Sequence, residues 1–263
     1  MSEKKRFSGK SMVVTGAAQG IGRQVAIEAA MGGAHLTLVD RSPLVHDVAK
    51  QINSDHGQGQ CIALEADLET WSGNEQVMER AHWTYGAIDV LVTNVGGAIW
   101  MKPFEQFTEE QIVAEINRSL FPTLWGCRSA LPYMLEQGRG AIVNVSSIAT
   151  KGINRGPYSA AKGAVNALTT SLAMEVGTKN IRVNAVAPGG TTAPPRQIPR
   201  NSAKLSEQEK VWMQQVVDQT VQSSAMKRYG LLREMSAAIL FLASDEAAYI
   251  TGTVLPVGGG DQG

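Results

Sequence analysis

Tyr158 and Lys162 stand four residues apart in Gly156-Pro157-Tyr158-Ser159-Ala160-Ala161-Lys162. Proline suits the first turn of a helix, where its missing N–H would have no partner. Residues four apart then share one helix face. A free tyrosine has a pKa of about 10 and is almost fully protonated at neutral pH. Burial raises that value further. An ammonium at ~4 Å and an effective dielectric of ~20 acts the other way, by about 4 kcal/mol or roughly three pKa units. A tyrosine so placed becomes a usable acid/base. Ser147 follows the β-rich run Ala141-Ile142-Val143-Asn144-Val145, where it could hydrogen-bond the oxygen that exchanges the proton. Tyr-x-x-x-Lys is also a common helical pair, so its meaning depends on the elements that position it.

Those elements alternate. Short β-branched runs at Met12–Val14, Leu36–Val39, Ile62–Leu64, Val90–Val92, Ile142–Val145, Val183–Val186 and Thr253–Val257 are separated by helix-length stretches. Near-continuous apolar strands of this kind predict a parallel sheet covered on both faces. Right-handed crossovers make it a doubly wound α/β sheet of seven strands. No repeat or low-complexity linker divides residues 1–263, so one domain is expected. An insertion at about 190–225 precedes the last βα unit, with a helix expected from about Ala203 to Val221. Its positions Val211, Met213, Val216, Val217 and Val221 fit a half-buried face. Such a segment suits a small lid over a substrate, or is a surface excursion.

The first strand ends in Thr15-Gly16-Ala17-Ala18-Gln19-Gly20-Ile21-Gly22, followed by a helical run. Glycines at a strand-to-helix junction allow a tight turn and close approach of backbone to a diphosphate at the helix N-terminus. The spacing is G-x-x-x-G-x-G, and the position after a strand and before a helix is what phosphate binding requires. Asp40 ends the second strand. A carboxylate there accepts from adenosine ribose hydroxyls and repels a 2′-phosphate, which favours NAD over NADP. Arg41 beside it could tolerate that phosphate. Asp67 could hold the adenine edge or cap the following helix.

Composition excludes several classes. Formal net charge is zero, aromatics are sparse and no basic stripe points to nucleic acid. The charged start Met1–Phe7 has no apolar stretch behind it, and no apolar run reaches the length of a membrane span. Cys61 and Cys127 lie in apolar patterns and read as buried free thiols. The four histidines, His35, His46, His56 and His82, lack ligand spacing, so no metal site is expected. The methionines read as core filler. A soluble, cytoplasmic protein is expected.

With these parts in view, the chain resembles the short-chain dehydrogenase/reductase family from about Lys10 to Gly260. The resemblance implies a Rossmann-like fold and a nicotinamide cofactor held by Gly16, Gln19, Gly20, Ile21 and Gly22. Thr93-Asn94-Val95-Gly96 stands where the family has Asn-Asn-Ala-Gly, which assigns Asn94 and Gly96 to the cofactor. Asn117 matches the catalytic asparagine of the central helix, and Ser147, Tyr158 and Lys162 match the active-site trio; Ser146 is the rival serine. Pro188-Gly189 matches the turn beside the nicotinamide. Thr191 and Thr192 are present, while the usual threonine position holds Ala193. The last strand in relatives often helps form a tetramer, so a homotetramer or homodimer is expected.

Three segments are similar to one group within the family: Asn94–Trp100, Ile148–Arg155 and Pro188–Arg196. These are the cis-diol dehydrogenases of bacterial benzoate and toluate degradation. That similarity implies NAD-dependent oxidation of 1,6-dihydroxycyclohexa-2,4-diene-1-carboxylate to catechol with loss of carbon dioxide. A carbonyl or 3-oxoacyl reductase on the same scaffold is the rival reading, and a non-catalytic NAD(H)-binding sensor a more distant one. A substrate carboxylate entering an apolar site needs a cation. Arg155 is the first candidate and Arg196 the second, beside Ser147 and Tyr158 in the substrate site.

Overall fold

The computed structural model describes residues 5–56 and 60–263; the charged start Met1–Lys4 lies outside the described residues. The chain runs β1 (Ser11–Thr15), α1 (Gly20–Met31), β2 (His35–Asp40), α2 (Leu44–His56), β3 (Cys61–Glu65), α3 (Trp71–Tyr85), β4 (Val90–Thr93), α4 (Glu109–Ser119), α5 (Phe121–Gln137), β5 (Gly140–Val145), α6 (Gly156–Val176) and β6 (Ile181–Pro188). It closes with β7 (Thr191–Thr192), α7 (Glu207–Ser223), β8 (Gly230–Leu231), α8 (Leu232–Ala243) and β9 (Val254–Val257).

Seven strands form one sheet in the order β3-β2-β1-β4-β5-β6-β9, every neighbouring pair parallel. Alternate residues of a strand point to opposite faces, and here both faces are apolar. Met12 and Val14 pack with Val25, Ala29 and Ile239 of α1 and α8. Val13 between them packs with Val77, Met78, Cys127 and Met134 of α3 and α5. This two-sided burial is why the strands read as unbroken apolar runs. The fold is a Rossmann-like doubly wound α/β sheet, and its strand order reverses between β1 and β4. At such a crossing the loops leave in opposite directions and open a crevice beyond the strand C-termini.

The segment between β6 and α8 forms the lid. β7 pairs with β8 through Thr191–Gly230 and Thr192–Leu231, which ties the two ends of the excursion together. The helix within it starts at Glu207, not Ala203. Ser206 accepts from the Glu209 amide while the Glu209 carboxylate accepts from the Ser206 amide, a reciprocal cap that fixes the first turn. Of the expected apolar face only Val216 is fully buried, and Val211 and Met213 are exposed. The methionine expectation needs a similar correction. Met12, Met78, Met134 and Met235 fill the core, but Met31, Met174 and Met226 stand in solvent. Both cysteines are free and buried. No helix among the described residues is long and apolar enough to cross a membrane.

Candidate active site

A cavity of about 470 Å³ runs along the C-terminal ends of the strands. Sheet order sets the order of its walls: Asp67 after β3, Asp40 on β2, the glycine turn after β1, Asn94–Ala98 after β4, Ser147 after β5 and Pro188–Thr191 after β6. Residues far apart in sequence thus form one groove that passes the ends of six of the seven strands, from β3 to β6.

The glycine turn is built for close approach. A Cβ on Gly22 would stand 2.2 Å from the Gly16 carbonyl oxygen, so Gly22 does not line the cavity but packs α1 against the turn. Gly20, at φ +63°, has open space where a side chain would project. Asn94 holds the turn from β4, its Nδ2 donating to the carbonyls of Thr15 and Gly16. α1 begins without a side-chain cap, which leaves its first amides for a ligand. Gln19, at the cap position, instead reaches the lid: its Nε2 donates to Ile198 O at 2.9 Å and its Oε1 accepts from the amides of Gln197 and Ile198. These features fit a dinucleotide diphosphate.

At the β2 end, Asp40 accepts from the amides of Ala18 and Ser42, at 3.1 Å each, and lines the groove. Arg41 leans toward Glu69, 3.8 Å away. Asp67 lines the cavity and accepts from the Glu69 amide; the cap of α3 is Thr70, not Asp67.

At the β5 end, Ser147 caps a short 3₁₀ turn, Ile148–Lys151, by accepting from the Ala149 amide at 3.0 Å. Its own proton has no partner among the described residues. The Ser146 hydroxyl donates to Asn166 Oδ1 and Lys162 O and is committed to α6. Pro157 sits in the first turn of α6, and Tyr158 and Lys162 both line the cavity. The Lys162 Nζ lies 6.0 Å from the centre of the Tyr158 ring and donates to Val145 O at 2.8 Å. Only 3 % of Lys162 is exposed. Burial first, and then Arg200, push its pKa down to about 7. Gly96 must stay small, because a Cβ there would meet that Nζ at 3.1 Å. Pro188, Gly189 and Thr191 line the far wall, with the Thr191 hydroxyl donating to Gly189 O. Asn117 lies on α4, and the structure does not bring it to the cavity wall.

Five arginines line the cavity: Arg41 and Arg118 pair with Glu69, while Arg155, Arg196 and Arg200 have no ion pair among the described residues. Arg155, at the start of α6, lies against Gly152, and its buried Nε has no partner. Burial lowers its pKa, partly offset by Tyr158, Tyr229 and Asp261. Arg196 is exposed at the lid, its guanidinium pulled down to about 10 by partial desolvation and by Arg200. Arg200 and the lid residues Val216, Thr220 and Tyr229 were not expected at the site. Val216 and Thr220 share one face of α7, but Arg200 and Tyr229 follow no period, and the pairing of β7 with β8 and the Gln19 contact tie the lid to the site.

The sequence profile of the short chain dehydrogenase family matches residues 10–204. The chain is 60% identical over its full length to the whole of the 1,6-dihydroxycyclohexa-2,4-diene-1-carboxylate dehydrogenase of Acinetobacter baylyi. It is 58% identical, over 98% of its length and 95% of the relative's, to the protein of the same name from Pseudomonas putida. Among solved structures, levodione reductase superposes with a TM-score of 0.87 at 29% identity, covering 98% of this chain and 99% of that one.

Proposed function

Because the chain belongs to the short-chain dehydrogenase family, we propose that it oxidises 1,6-dihydroxycyclohexa-2,4-diene-1-carboxylate with NAD, giving catechol and carbon dioxide. The observation that carries the reading is full-length identity of 60% to a dehydrogenase named for that substrate. The unpartnered Arg155 at the substrate end of the groove supports it, as does the convergence of Ser147, Tyr158 and Lys162.

When bound, the nicotinamide accepts a hydride from the carbon carrying the secondary hydroxyl. Tyr158, as the phenolate, takes the proton of that hydroxyl and becomes the neutral phenol. Ser147, whose proton is free, donates to the same oxygen and fixes the carbon's position. Lys162 supplies positive charge beneath the tyrosine and a donor for a ribose hydroxyl. Asn117, which does not line the cavity, would act through an intervening water. The carbon bearing the carboxylate has no hydrogen to give, so one alcohol alone is oxidised. The product is a β-keto acid, which loses carbon dioxide as its electrons close the aromatic ring. The overall balance is diol acid anion plus NAD⁺ to catechol, carbon dioxide and NADH.

Asp40 supports NAD over NADP. Its carboxylate faces the groove where a 2′-phosphate would lie, and Arg41 is drawn toward Glu69. Asp40→Ala is expected to lower the NAD/NADP ratio of kcat/KM by about tenfold or more, the worth of a hydrogen bond to a charged group. An unmoved ratio would place the discrimination elsewhere. The free thiols support a cytoplasmic setting, and the edge strand β9 beside the fully exposed Tyr249 supports a homo-oligomer.

The reading is tested by following NADH absorbance with three compounds: the diol acid, a cis-diol without the carboxylate, and a simple secondary alcohol. The diol acid is expected to be strongly preferred. Faster reduction of 3-oxoacyl or carbonyl compounds with NADPH would instead mark a biosynthetic-type reductase.

A further inference from the structure

We propose that Arg200 is a lid-borne receptor for the dinucleotide's diphosphate, so that the lid is held closed by the cofactor's own charge. The inference rests on the reading that the groove takes a nicotinamide dinucleotide, and adds a residue outside the glycine turn.

Position comes first. The Arg200 guanidinium lies against Gly97: a Cβ there would stand 2.4 to 2.6 Å from its Nε, Cζ and Nη2. Gly97, at φ +123°, adopts a backbone conformation that suits glycine and leaves room for the arginine. Ile198, two residues earlier, is fastened to Gln19 of the glycine turn. Arg200 therefore stands over the junction of β1 and β4, the crossing point where the sheet order reverses. In folds of this kind a dinucleotide lies across that crossing, with its diphosphate at the start of the first helix.

Chemistry comes second. The Arg200 Nε is buried with no hydrogen-bond partner. Glu115 is the acid whose charge reaches it, but the two form no ion pair within 4.0 Å. Glu115 is committed to its own loop: Oε1 accepts from the amides of Ile99 and Trp100. Arg200 also lowers the pKa values of Lys162 and Arg196, so three cations lie within reach of one another and none is held in an ion pair among the described residues. A guanidinium is a two-pronged donor suited to phosphate and carboxylate oxygens. Two such oxyanions enter the proposed reaction, the cofactor's diphosphate and the substrate's carboxylate. Arg155, at the β5 end beside Tyr158 and Tyr229, is placed for the carboxylate, and Arg200, at the crossing, for the diphosphate.

The test titrates ADP-ribose, which carries the diphosphate but no nicotinamide, and AMP, which has a single phosphate, by calorimetry. Arg200→Ala and Arg200→Gln are compared with the unaltered protein, each checked for an unchanged melting temperature. The proposal expects the ADP-ribose Kd to rise at least tenfold in both variants and the AMP Kd less than threefold, with Arg200→Lys intermediate. Unchanged ADP-ribose affinity overturns it. A loss confined to kcat/KM for the carboxylated diol, with ADP-ribose unaffected, also overturns it and assigns Arg200 to the substrate's carboxylate. Glu115→Gln matching every loss would mean that Arg200 serves only as a countercharge to Glu115. Failure of the unaltered protein to bind ADP-ribose would overturn the dinucleotide reading and this proposal together. Failure to turn over the diol acid would leave the ADP-ribose result standing.

Discussion

Tyr158→Phe is expected to lose about 10²–10⁴-fold in kcat, the usual worth of a positioned acid/base, while binding the dinucleotide as tightly as the unaltered protein. Phenylalanine keeps the ring that packs in the cavity wall and removes only the oxygen that takes the proton. Nothing else at the β5 end can replace it. The Ser146 hydroxyl is committed to Asn166 and the Lys162 carbonyl, and the Lys162 Nζ is engaged with Val145 O, to which it donates at 2.8 Å. Ser147 remains as a donor to the substrate oxygen, so ground-state binding should survive. Stopped-flow kinetics with a parallel cofactor titration separates the two quantities. A kcat within a few-fold of normal would remove Tyr158 from the proton step.

Arg155→Ala is expected to cost about 2–4 kcal/mol in kcat/KM for the carboxylated diol, or roughly 30- to 1,000-fold, as when one partner of a buried charge pair is removed. The guanidinium has already lost much of its water and has found no replacement within the protein. A carboxylate supplies the missing partner, and the substrate's own charge then meets a cation instead of an apolar wall. A cis-diol without the carboxylate should lose little in the same variant, because it never formed the pair. Comparable losses on both compounds would show that Arg155 shapes the Gly152 loop and does not read the acid. Arg196, exposed on the lid, should give a smaller effect.

Much of the fold was legible because parallel strands buried on both faces leave an unmistakable trace. All seven apolar runs became strands of the one sheet. The groove's order was not legible. Asp67 precedes Asn94 in the chain, yet β3 lies at the sheet edge and β4 at its centre, a consequence of pairing that no local pattern encodes. The start of the lid helix was readable and missed, since Ser206-Glu207-Gln208-Glu209 is itself a capping sequence. Arg200 carried no such signal. It follows Pro199 in an irregular stretch, and its place over Gly97 depends on contacts of Gln19 with Gln197 and Ile198, about 180 residues away along the chain. The exposed methionines show the same limit from the other side, because residue type alone does not say which face of a helix meets solvent.

The central claim is that one hydride leaves the secondary carbinol carbon and that decarboxylation follows from the ketone so formed. The most direct measurement supplies NAD and the diol acid deuterated at that carbon. NADH, its deuterium content, catechol and carbon dioxide are then quantified together. One deuterated NADH, one catechol and one carbon dioxide are predicted for each diol consumed. Undeuterated NADH, or NADH formed without catechol and carbon dioxide, would contradict the account.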